Sequence, residues 1–155
     1  MKEFVEKWHQ IVDNRDEKAL DELLHDDIIF YSPVVFRPQK GKKITKAYLL
    51  AALEVLVSSE ANFSYVKETI DTNKCVLEFN ATIDGIIING VDMISLNEEG
   101  KIIEFKVMVR PLQGMNKLHE KMGEMLKNYM KTKVKKEMKK LASSPFYFLN
   151  KLFGN

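Results

Sequence analysis

Apolar residues at Phe4, Trp8, Ile11 and Val12 recur at helical spacing, and Ala19, Leu20, Leu23 and Leu24 repeat the pattern after the polar stretch 13–18. The spacing predicts a helix, a tight turn and a second short helix with His25 at its end. Asp26 and Asp27 then lead into Ile28, Ile29, Phe30, Tyr31 and Ser32, whose branched and aromatic side chains favour a short strand ended by Pro33. Pro38 and Gly41 mark the following segment as a loop. Thr45 is placed to cap a third helix through residues 47–59, its hydroxyl accepting from the free amides of the first turn. That helix is apolar on more than one side, so much of it should be buried.

Four strand patterns follow at 63–70, 74–83, 86–96 and 102–112, separated by turn sequences at 71–73, at Asp84-Gly85 and at 97–100. This order predicts an antiparallel meander. Cys75, Leu77, Phe79, Ala81 and Ile83 alternate with Glu78, Asn80 and Thr82, so one face covers a core and the N-terminal helices supply the material to pack on it. The expectation is an α+β layer architecture, a curved antiparallel sheet covered by helices. Gly90 reads either as a strand kink or as a point where a close neighbour excludes a side chain.

Beyond Gly114 the period returns to helical: Leu118, Met122, Met125, Leu126, Tyr129, Met130, Val134, Met138 and Leu141 form one drifting stripe. Ser143, Ser144 and Pro145 stop it, and the last residues, 145–153, are aromatic and apolar, long enough to dock in a groove and too short to span a bilayer. Charge divides at the same place. Residues 1–114 hold 14 Lys/Arg against 19 Asp/Glu, a net of −5, while residues 115–155 hold 10 against 3, a net of +7. Two regions are therefore expected, 1–114 and a basic helical extension 115–155, and an anionic partner should meet the second.

A chain of 155 residues has room for one core, and its single cysteine excludes an internal disulfide. Cys75 reads as a buried small hydrophobe. No Cys/His cluster spells a metal site, Gly41-Lys42-Lys43 lacks the spacing of a phosphate loop, and no cofactor is expected. The N-terminal residues mix charges from the outset, which makes the cytoplasm the default location. The extension has lysines and no arginine, so nucleic acid is disfavoured as its partner; contact with its own domain, with a partner subunit or with an anionic membrane surface is expected instead.

The order helix, helix, short strand ending in proline, loop, helix and long strands resembles the nuclear transport factor two-like superfamily, and within it the SnoaL-like polyketide cyclase and ketosteroid isomerase branch. The resemblance covers about residues 3–112 and is carried by 19–33 and by the segment from Gly90 through 92–105. It implies a cone-shaped fold whose sheet and helices enclose an apolar pocket, and a homodimer formed through the sheet. It does not supply a reaction, because the fold carries isomerases, cyclases, hydrolases and plain binding proteins.

By this resemblance Asp92 matches the aspartic acid of the isomerase oxyanion hole, Ser32 stands where that enzyme has its catalytic base, and Trp8 stands where it has its oxyanion tyrosine. Serine is a poor base and an indole a weak donor, so ordinary steroid isomerisation is disfavoured. Cyclases of the branch ask for less, an acid/base that Asp92 could supply with Asn80 or a histidine as helper. The candidate catalytic residues are thus Asp92, Ser32 and His25, and the candidate pocket residues Trp8, Tyr31, Phe79, Asp92 and Phe105. If the strand is regular, Tyr31 and Ser32 face opposite ways, and the family pattern turns Ser32 inward. Arg110 reads as a charge on a dimer surface ahead of an anion holder at the sheet edge, His9 as a surface or helix–helix contact residue, and His119 as solvent exposed.

Two functions from different classes follow. One is a pocket protein for a small apolar or lipid-like molecule, with isomerase- or cyclase-like chemistry centred on Asp92. The other is a dimeric scaffold attached by its basic helix, in which Asp92 does no more than bond a tyrosine or a backbone amide.

Overall fold

The computed structural model describes residues 1–142. Helix α1 (Lys2–Asn14) buries Phe4, Val5, Trp8, Ile11 and Val12 on one face and stops at Arg15, whose left-handed backbone lets its amide reach the Ile11 and Val12 carbonyls. Asp16 then caps α2 (Glu17–Leu23), accepting from the Ala19 amide at 2.9 Å. Strand β1 (Leu24–Tyr31) starts directly at the end of this helix, so His25 lies in a strand and not at a helix end. Leu24, Ile28 and Phe30 are apolar and bury themselves against the core, which continues the chain as extended structure.

A two-residue strand, β2 (Gln39–Lys40), precedes α3 (Lys42–Leu56). The N-cap of α3 is Gly41; Thr45 lies inside the helix, fully buried, with no hydrogen-bond partner for its hydroxyl among the described residues. The helix begins four residues earlier than a Thr45 cap requires, because Lys42 and Lys43 are good helix formers.

The meander forms as its turns dictate: β3 (Ser64–Ile70), β4 (Lys74–Ile83), β5 (Ile86–Leu96) and β6 (Ile102–Arg110) are successive antiparallel neighbours. Asp84 and Gly85, both at positive φ (49° and 80°), make the two-residue β4–β5 turn. The sheet order is β2-β1-β6-β5-β4-β3. The pairing of β1 with β6 is parallel, so the curved, unclosed sheet is mixed where the sequence suggested antiparallel throughout. Strand β1 is not part of the meander; it reaches the sheet from the helical layer and docks on the edge left by the last meander strand.

Gly90 sits in unbroken β4–β5 register opposite Phe79, and a Cβ there would lie 2.2 Å from the Phe79 ring. The glycine is thus the consequence of a close neighbour and not of a kink. It lets the Phe79 ring lie flat across β5.

After Pro111 the chain enters α4 (Leu112–Ala142), so the boundary expected at 114 falls within one helix. Among the described side chains of α4, Leu118 alone is a buried hydrophobic. Burying this leucine contributes about 2 kcal/mol, and Met122 packs partly buried against the same cluster. Ser143 and everything after it, including the aromatic segment 145–153, lie outside the described residues.

Candidate functional site

The core is divided into two clusters, one built on α1, α2, β1 and the Leu77–Ile94–Phe105 side of the sheet, the other on Val55, Leu56, Phe79, Ala81, Ile83, Ile88 and Leu118. A cavity of about 50 Å³ lies where they meet. That is several times the roughly 10–15 Å³ that admits one water. Its walls are Trp8, Phe30, Leu49, Leu53, Phe63, Phe79, Phe105 and other apolar side chains; the polar groups on it are Ser32, Tyr65 and Asp92.

Asp92 is placed by alternation. Ile88, Gly90, Asp92, Ile94 and Leu96 are the inward positions of β5, and Asp92 is the carboxyl among them, 7% exposed. Tyr65 on β3 donates its hydroxyl to Asp92 Oδ2 at 3.0 Å, and Trp8 Nε1 on α1 donates to the same hydroxyl oxygen at 2.8 Å. Three elements far apart in the chain thus meet in one hydrogen-bonded row, Trp8 to Tyr65 to Asp92. Burial pushes the Asp92 carboxyl up to about 7, and the Tyr65 hydrogen bond pulls only partly against it. Burial, and then the neighbouring Asp92 charge, raise the Tyr65 phenol well above its ordinary value, so Tyr65 stays a donor.

Tyr65 is fixed from other sides as well. The His9 ring stacks on it at 5.0 Å between centroids, 12° from parallel, and His9 Nε2 lies 2.9 Å from Glu68 Oε1. Phe63 meets it edge-on at 5.0 Å. Nothing in the sequence singled out Tyr65. Its partners are 57 and 27 residues away, and the signal within reach was its alternation with Phe63, which puts both aromatics on the same face of the strand.

Among the expected site residues, Asp92, Trp8, Phe79, Phe105 and Ser32 all line the cavity. Tyr31 does not. It follows Phe30, which takes the inward position, and its ring lies under Lys106 Nζ at 4.6 Å on the opposite side of the sheet. His25 is absent from the walls too; its Nδ1 accepts from the Asp27 amide at 3.1 Å. Asn80 is no helper to Asp92, since it accepts from Asn89 on the outer face, where Asn89 also receives Arg110 Nε at 2.9 Å. Ser32 Oγ accepts from the Val34 and Val35 amides at 3.2 and 3.4 Å, which commits its lone pairs to turning the loop. Asp92 is the one carboxyl on the cavity wall among the described residues. These residues show no cluster of side chains able to hold a metal ion.

Residues 5–105 match the family model of the SnoaL-like domain. Among solved structures, a steroid delta-isomerase from Pseudomonas aeruginosa is 34% identical, with a TM-score of 0.76 over 83% of this chain and 93% of that one. A conserved bacterial protein with a cystatin-like fold from Silicibacter pomeroyi is 26% identical, with a TM-score of 0.71 over 78% and 83%. An epoxide hydrolase/cyclase-like enzyme of pyran ring formation in the polyether salinomycin shares the fold at 19% identity, with a TM-score of 0.55 over 70% and 89%. No curated protein sequence matches the chain. An α+β sheet with a single acid in an apolar cavity, matched by a family model over most of its length, places the chain in the SnoaL-like family of the nuclear transport factor two-like superfamily.

Proposed function

We propose that this protein binds a small apolar or lipid-like molecule through one carbonyl or hydroxyl group, and that Asp92 exchanges a proton with it in isomerase- or cyclase-like chemistry. The observation that carries this reading is a lone carboxyl in an otherwise apolar cavity, raised to about 7 by burial. Such a group is close to half-protonated at neutral pH, where it can give a proton to an oxygen and take one back from a carbon or hydroxyl in the same cycle. Tyr65, itself held by Trp8, keeps the carboxyl in one orientation. The isomerase likeness supports the pocket, but the position of its base is filled here by Ser32, whose oxygen is occupied by the loop. The chemistry is therefore assigned to one acid–base group and not to a pair.

The test is titration of a fluorescent aromatic alcohol, 2-naphthol, into the full chain and into Asp92→Asn and Tyr65→Phe. A hydrogen bond to an ionisable group is worth about 1.5–3 kcal/mol, so affinity should fall about tenfold or more in Asp92→Asn. Equal affinity in all three proteins would remove Asp92 from the site.

A second reading, attachment to an anionic membrane by the basic helix, is favoured by α4 continuing as helix through Ala142 across a segment with six lysines between 131 and 140. Each lysine near an anionic surface contributes about 1 kcal/mol. Flotation with phosphatidylserine vesicles should carry the full chain at low salt and release it when those six lysines are changed to glutamine. Flotation unaffected by the six changes would count against this reading.

A further inference from the structure

We infer that the C-terminal helix belongs to the ligand site: α4 roofs the Asp92 cavity and is the element that moves to admit a ligand. This rests on reading the cavity as a binding site and adds to it residues beyond the 5–105 that the family model matches. Leu118 and Met122, one turn apart on α4, both line the cavity, and Leu118 is 2% exposed. One turn before Leu118, Gly114 lies so close to β5 that a Cβ would stand 2.9 Å from Ile88 Cγ1. Ile88 and Asp92 share the inward face of β5, four residues and about 13 Å apart at roughly 3.3 Å per residue. The roof and the acid are thus a ligand's length from each other. A molecule with its oxygen at Asp92 would lay its apolar body toward Leu118 and Met122.

The cavity of about 50 Å³ is far below the ~300–1,000 Å³ of pockets that enclose drug-sized ligands, so some wall must give. The β4–β5 ladder is unbroken, β5–β6 pairs along most of its length, and α1 and α3 each bury an apolar face. Helix α4 is different. Leu118 is its one fully buried hydrophobic among the described side chains, Met122 packs partly buried beside it, and a partly exposed ionic clamp ties it to the hairpin below: Asp84 at the β4–β5 turn lies 3.5 Å from Lys117 and 3.2 Å from Lys121. Elements with few buried contacts open before the rest of a fold.

Trp8 is the single tryptophan of the chain, is 2% exposed and lines the cavity, so its fluorescence reports access without any knowledge of the ligand. Acrylamide quenching should be weak in the full chain. It should rise about twofold in Asp84→Asn, where asparagine keeps the positive-φ backbone and loses the charge, and further in Leu118→Ala. Unchanged quenching in Asp84→Asn and Leu118→Ala, both folded by circular dichroism, would overturn the roof. So would strong quenching of the unmodified protein. Titration of 2-naphthol alongside separates the two ideas: quenching that responds to the variants while naphthol fails to bind keeps the moving roof and discards the ligand reading.

Discussion

A carboxyl that holds its proton to about pH 7 in the folded protein gives it up near pH 4 in the unfolded chain, and this difference makes stability depend on pH. Between those values the native state binds the extra proton, so this contribution is complete below about pH 4 and declines as pH rises toward 7, by an amount on the order of 4 kcal/mol. Asp92→Asn removes the titration while keeping a partner for the Tyr65 hydroxyl. Its melting temperature should exceed that of the unmodified protein at pH 8, with the gap closing as pH approaches 4. A gap independent of pH would mean that Asp92 does not titrate in this range. The sequence pointed to Asp92 through the family resemblance, which sets it at the isomerase's oxyanion aspartic acid; its inward position on β5 then shows in the structure as an acid among apolar side chains. It could not point to Tyr65, because a tyrosine among Phe63 and Val66 breaks no pattern. Tyr31 was open to rejection, because alternation with an inward Ser32 already turns it to the outer face, where Lys106 meets it.

At the level of elements, the meander was legible because each of its turns carries its own chemistry, whereas β1 has no local signal for its partner. Leu23 and Leu24 satisfy a helical stripe and a strand equally well, and tertiary packing decided that the helix ends at Leu23. Gly90 offers a test of how strictly the β4–β5 pair shapes the cavity. Gly90→Ala would drive a methyl into the Phe79 ring, so a loss of about 1–3 kcal/mol is expected from chemical denaturation, with much of it recovered in the double variant carrying Phe79→Leu. Additive losses in the two variants would show that the contact is not the cause.

The whole molecule presents one side of its sheet to the cavity and leaves the other without a covering layer among the described residues. On that outer side Val91 on β5 pairs with Met108 on β6, and Met108 is 54% exposed. We propose this face as the contact between two copies of the chain, on the strength of that exposed apolar centre and of the polar Asn89–Arg110 group beside it. Light scattering should give a dimer mass for the full chain and a monomer mass for Met108→Glu. A dimer that survives the change would move the contact elsewhere. No helix among the described residues is long and apolar enough to cross a membrane.

The parallel pairing of β1 with β6 constrains the order in which the protein folds. Ile29, Phe30 and Tyr31 find their partners at Glu104, Phe105 and Lys106, 75 positions later. Closing a loop of that length is slow compared with forming hairpins between neighbours, so the meander can assemble while β1 still waits. During synthesis the apolar face of the N-terminal third remains without its sheet until β6 has left the ribosome. The nascent chain therefore passes through a stage in which Leu24, Ile28 and Phe30 are open to chaperones and to other chains.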